Sequence, residues 1–110
     1  MKMVVAYIDR EAFEPIRTAM FELGFPAFSV IDAGGAMAEP TATIKYRGTT
    51  VQNFVRPKCR FECVVEDEFA KTVMDTVAHY GGPHVFTFVT PVEMAEPADY
   101  VKQAPLVDAA

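Results

Sequence analysis

One order of elements, strand then helix then strand, occurs twice along this chain, and a stretch of about 25 residues (32–57) separates the two copies. Residues 2–8 are rich in Val, Ile and Tyr and predict a strand. Over residues 11–24 the apolar positions Ile16, Ala19, Met20 and Leu23 form one helical stripe, with Pro15 in the first turn and Gly24 as the stop. Residues 25–31 predict a second strand. Beyond the stretch, over residues 59–65, Cys59, Phe61, Cys63 and Val65 alternate with Arg60, Glu62 and Val64, the pattern of a half-buried strand. Residues 66–80 predict a second helix on a stripe of Phe69, Val73 and Val77, terminated by Gly81-Gly82-Pro83. Residues 84–92 predict a fourth strand, apolar on both faces, with Phe86 and Phe88 on one and Val85 and Val89 on the other. Two such units side by side make an α+β, ferredoxin-like βαββαβ sandwich with a long loop (33–57) between strands 2 and 3. Helices cover one face of that sheet, so a fourth strand apolar on both faces implies cover from another subunit.

Composition narrows the function classes. A chain of 110 residues, 51% hydrophobic and 23% charged, is one folded domain. We place it at residues 1–94, followed by an irregular C-terminal tail (95–110) with a chance of an edge strand around Tyr100-Val101. The net charge of -5 argues against nucleic acid and anionic membrane surfaces as partners. No apolar run reaches the roughly 18–20 residues that span a bilayer. The first residues meet Asp9 and Glu11 too soon for a signal peptide, so a cytoplasmic location is expected. Cys59 and Cys63, four residues apart on one strand face, lie about 13 Å from each other, beyond disulfide reach. His79 and His84 give them no zinc-ligand spacing, so both read as small buried hydrophobes and no metal site is expected.

No nucleophile motif or phosphate-loop glycine pattern occurs, which argues against an enzyme. The long stretch is different. Between Glu39 and Glu62 there is no acidic residue, whereas Lys45, Arg47, Arg56, Lys58 and Arg60 are five of the ten basic residues. One reading is a solvated hairpin whose cations keep a sheet edge from aggregating. The other is an arm that contacts an anion or an acidic partner, with Tyr46 as aromatic anchor beside Lys45, Arg47 and Thr49.

Several short motifs stand at fixed offsets: Tyr46-Arg47-Gly48, Pro57-Lys58, Glu62-Cys63-Val64-Val65-Glu66-Asp67, Thr72-Val73-Met74-Asp75-Thr76 and Val85-Phe86-Thr87-Phe88. In these, and in ungapped spacing from Met1 to Asp75, the chain resembles the P-II nitrogen-regulatory signalling proteins. The resemblance implies a homotrimer with an adenine nucleotide in the clefts between subunits, 2-oxoglutarate with Mg²⁺ beside the long loop, and a target protein docked by that loop. It implies nucleotide contacts at Ser29, Val64 and Gly35, with His84 in the following loop, and effector or anion contacts at Lys58 and Glu39. Lys45, Tyr46, Arg47 and Thr49 would then dock the target, a transporter or metabolic enzyme.

The sequence also departs from that pattern. Ala38-Glu39 stands where the family has a basic residue and Gln. The loop before the last strand is shortened to Gly81-Gly82-Pro83-His84, two arginines expected after that strand are missing from Glu93-Met94-Ala95-Glu96-Pro97, and Val51 replaces the tyrosine that is uridylylated. Each lost charged contact costs about 1.5–3 kcal/mol, so two such losses weaken triphosphate binding roughly a hundredfold or more. AMP or ADP is therefore expected ahead of ATP, with no tightly bound cofactor. Two alternatives stay open: a trimeric metal-binding or metal-tolerance protein of the same architecture, and an adaptor trimer that senses nothing.

Overall fold

Alternation along the strands and the helical stripes build two layers in the computed structural model, which describes residues 1–36, 42–53 and 55–101. The elements in order are β1 (Lys2–Asp9), α1 (Phe13–Leu23), β2 (Ser29–Ala36), β3 (Ala42–Tyr46), β4 (Thr49–Asn53), β5 (Val55–Val65), α2 (Ala70–Tyr80), β6 (Phe86–Pro91) and a short α3 (Ala98–Val101). Both longer helices enter through a 3-10 turn, Arg10–Ala12 and Asp67–Phe69. The main sheet is antiparallel in the order β2-β5-β1-β6, and β3 and β4 form a separate ribbon. With α1 and α2 on one face, this is the ferredoxin-like fold expected.

The core lies between helices and sheet. Val4, Ala6 and Ile8 of β1 and Phe61, Cys63 and Val65 of β5 meet Ile16 and Met20 of α1 and Val73 and Val77 of α2. Cys59 and Cys63 are both buried in this layer and not joined in a disulfide, as their alternation with Arg60 and Glu62 requires. On the opposite face Ile31 is 53% and Phe86 62% exposed, while Val85 and Val89 turn inward to the core. The fourth strand thus carries apolar side chains on both faces, with the Phe86 and Phe88 rings 5.9 Å apart.

Three strand boundaries differ from the sequence expectation, the first for a local reason. The second strand starts at Ser29, not at residue 25. Gly24 takes φ 93, and the Phe25 N–H closes back on the Met20 carbonyl at 2.8 Å, ending α1 in a left-handed cap. Phe25 then drops into the core, its ring 5.8 Å from Phe69, and Pro26 has no N–H to give a ladder. Strand pairing also reaches further into the long connection than expected. β2 runs to Ala36 and β5 starts at Val55, in register Ala36↔Val55.

Within the connection lies the hairpin, closed by Arg47 (φ 51) and Gly48 (φ 79). Two positive φ values at a two-residue loop are those of a type I′ turn, whose twist suits the flanking strands. In the tail, Tyr100 and Val101 belong to a helical turn rather than an edge strand, with the Tyr100 N–H on the Pro97 carbonyl at 3.1 Å. Residues 102–110 of the expected irregular tail lie outside the described residues.

Candidate functional site

Where the end of β1 meets the start of β5, two opposite charges are buried together. Asp9 and Lys58 are register partners on β1 and β5, only 2% and 4% exposed. The Lys58 ammonium donates to Asp9 Oδ1 at 2.7 Å and to the His84 carbonyl at 3.1 Å. Burying an ammonium and a carboxylate costs several kcal/mol each, so such a pair survives only when the geometry is good and spare hydrogen-bonding positions are filled. Among the described residues no buried side-chain polar atom lacks a partner.

Glycines make the closeness possible. A Cβ on Gly82, which has φ 98, would lie 2.4 Å from Asp9 Oδ2, and one on Gly35 would lie 3.2 Å from Lys58 Cγ. The Asp9 N–H in turn bonds the Gly81 carbonyl at 3.1 Å. Four elements therefore converge here: the ends of β1 and β2, the start of β5, and the turn of residues 81–85 between α2 and β6.

Of the residues expected to bind nucleotide or effector, Gly35, Lys58 and His84 come together at this end of the sheet. Ser29 and Val64 lie near the other. Ser29 pairs with Glu62, and six strand steps to Gly35 span about 20 Å. The Ser29 end has its own cover, because α3 packs against β5. Burial lifts the Tyr100 phenol above its ordinary pKa, and a hydrogen bond with Ser29 opposes that rise in part. Between the two ends, on the face away from the helices, Arg60 donates to Glu62 at 2.8 Å and to the Tyr7 hydroxyl at 2.5 Å. Its guanidinium also stands 5.5 Å from the Tyr7 ring centre. Those hydrogen bonds, Glu62 first, hold Arg60 still further above its ordinary pKa.

Of the expected docking residues, Lys45 and Tyr46 lie on β3, Arg47 forms the hairpin turn and Thr49 opens β4. Arg47 and Thr49 are exposed. Glu39 lies outside the described residues. Asp9, which reads from sequence only as the end of a strand, is the site residue that sequence reasoning missed. A lysine predicted near the start of a half-buried strand, with a lone acid at the end of its neighbour, was the available signal. Tyr100 likewise carries no sequence signal, because it stands in a tail rich in Pro and Ala. Among the described residues no group of three or more His, Cys, Asp or Glu is placed to hold a metal ion. Among them too, no helix is long and apolar enough to cross a membrane.

Comparison with known proteins follows this architecture. The family model "Nitrogen regulatory protein P-II" matches residues 1–98. The chain is 31% identical over 78 residues to nitrogen regulatory protein GlnK2 of Haloferax mediterranei, covering 71% of this chain and 63% of that one. It is 32% identical over 77 residues to nitrogen regulatory protein P-II 2 of Methanothermobacter thermautotrophicus, covering 70% and 67%. With nitrogen regulatory protein P-II 1 of Escherichia coli K12 it shares 30% over 77 residues, covering 70% and 69%. The matched segment thus spans roughly two thirds of each relative's length. A match over residues 1–98 together with the ferredoxin-like sheet and its ribbon means that this chain belongs to the nitrogen regulatory protein P-II family.

Proposed function

We propose that the chain is a cytoplasmic regulator, not an enzyme, which assembles as a homotrimer and reads a small metabolite in the clefts between subunits. The metabolite is an adenine nucleotide, AMP or ADP in preference to ATP, and the output is a transporter or metabolic enzyme engaged by the ribbon of β3 and β4. The observation that carries this reading is the division of the expected site into two unequal ends. At the Ser29–Val64 end, strand backbone and an exposed hydroxyl that Tyr100 of α3 engages form a setting suited to a nucleobase. At the Gly35–Lys58 end, where Gly35 would lie near the phosphates and Lys58 would meet an effector carboxylate, the ammonium already holds Asp9 at 2.7 Å.

A nucleoside monophosphate bound at Ser29 is too short to need the far end, some 20 Å along the strand. A triphosphate would reach towards a lysine whose charge is already compensated, and would gain little from it. Mg²⁺ loses its role as the phosphates are lost. The exposed Phe86 and Ile31 supply apolar surface for the subunit contacts.

Titration calorimetry with AMP, ADP and ATP, each with and without Mg²⁺ and 2-oxoglutarate, tests the reading. AMP and ADP should bind at least tenfold more tightly than ATP-Mg. No heat with any nucleotide removes the sensing role and leaves the adaptor reading, which the satisfied Lys58 ammonium also favours. Sedimentation velocity checks the assembly, and a monodisperse monomer at micromolar concentration would contradict it.

A further inference from the structure

We propose that Asp9 is a built-in substitute for a small carboxylate ligand at Lys58, holding the foot of the ribbon in its anion-bound arrangement without an effector. The inference deepens the reading above by assigning the Gly35–Lys58 end a resident anion, which makes Asp9 the residue that sets what this end accepts. A buried ammonium needs an anion, and here the chain supplies one: Asp9 Oδ1 at 2.7 Å, with the His84 carbonyl at 3.1 Å as second acceptor.

The enclosure fits a carboxylate group closely. Gly82 leaves no room for a Cβ beside Asp9 Oδ2, at 2.4 Å, and Gly35 admits only a tight contact with the Lys58 stem, at 3.2 Å. Both members of the pair are almost fully withdrawn from water. A second carboxylate brought to Lys58 would meet Asp9 in a desolvated space, where like charges repel strongly. The wild-type site therefore excludes a free carboxylate by already containing one. Lys58 also belongs to the strand that continues into the ribbon stem, where Pro57 and Arg56 pair with Gly34 and Gly35. The anion at Lys58 consequently fixes the position from which the ribbon departs.

Removing the carboxylate should leave a vacancy that formate fills. Asp9→Gly is titrated with sodium formate against sodium chloride at equal ionic strength, with thermal unfolding as the readout. Formate should raise the Tm of Asp9→Gly saturably, by about 4 °C or more at high occupancy. Wild type and Asp9→Gly/Lys58→Met should respond to formate no more than to chloride. Trypsin cleavage after Arg47 should be several-fold faster in Asp9→Gly than in wild type, and formate should slow it again.

If Asp9→Gly is folded and indifferent to formate, or if the double variant responds equally, the proposal fails. If Asp9→Gly folds only in formate, the proposal is upheld in its strongest form. Asp9→Asn covers the case in which Asp9→Gly never folds. It keeps the shape without the charge, so it should unfold at lower urea than wild type, and Asp9→Asn/Lys58→Met should recover the loss. An Asp9→Asn protein as stable as wild type would overturn the idea. No nucleotide enters these experiments, so they can fail while nucleotide sensing stands, and the reverse.

Discussion

Replacing Gly82 by Ala tests how tightly the buried pair is enclosed. Two separate costs follow from its position. At φ 98 an L-residue is strained, by about 1–3 kcal/mol. The new methyl would also lie 2.4 Å from Asp9 Oδ2 and 2.9 Å from Asp9 Cγ, so the carboxylate must retreat. Ordinary contact needs about 1 Å more. Asp9 cannot give way freely, because its other oxygen is held at 2.7 Å by an ammonium that is itself buried. Breaking a buried pair outright costs about 3–5 kcal/mol, and a partial displacement falls below that.

The combined loss is therefore about 3–5 kcal/mol, enough to lower the Tm by well over 10 °C in a domain of this size. Gly48→Ala is the internal control, since its φ is 79 but an added Cβ meets nothing within 4 Å among the described residues. It should cost only the conformational strain, about 1–2 kcal/mol. Urea unfolding of the two variants and wild type separates the contributions, and their difference measures the contact with Asp9. If Gly82→Ala proves no more costly than Gly48→Ala, the carboxylate has room to move and the enclosure described here is wrong.

Further outcomes follow from other parts of the structure. Phe61 is fully buried and its ring lies 5.1 Å from that of Phe28, so Phe61→Ala should cost about 3–5 kcal/mol by urea denaturation. Arg47 occupies a left-handed position (φ 51) ahead of Gly48, so Arg47→Asn, which gives the favoured Asn-Gly turn, should stabilise the chain by up to about 1 kcal/mol; a loss of stability would argue against the type I′ hairpin. The folded chain holds the Tyr100 phenolic proton more tightly than the unfolded chain, so its contribution to stability is intact below pH 10.0 and disappears as pH rises through the higher folded value. Urea midpoints should therefore fall more steeply above pH 10.0 in wild type than in Tyr100→Phe, and parallel curves would contradict the burial of that ring.

The two βαβ units were legible because their signals are local. Alternation at Cys59, Phe61, Cys63 and Val65 and the helical stripe at Ile16, Met20 and Leu23 each lie within one element, and the sheet forces them to one side. The exit from α1 was not, because Phe25 looks like a strand residue until Gly24 turns the chain back and a core position claims the ring. In residues 42–53 a hairpin is one of two readings the sequence supports, and the structure pairs β3 with β4 around Arg47-Gly48. The Asp9–Lys58 pair joins residues 49 positions apart, and no local periodicity encodes such a partnership. It became visible only once β1 and β5 were placed side by side.

That pair also has a mechanical meaning. β5 is ladder-bonded to β2 from Ala36↔Val55 onwards, but to β1 only from Asp9↔Lys58. On one side of this rung the structure is a braced four-stranded sheet with helices behind it. On the other it is a two-stranded cantilever with far less resistance to bending. A load applied at the turn of Arg47 and Gly48 would act as torque towards the rung of Asp9 and Lys58. The buried pair is thus the last cross-brace between β1 and β5 before that unsupported span.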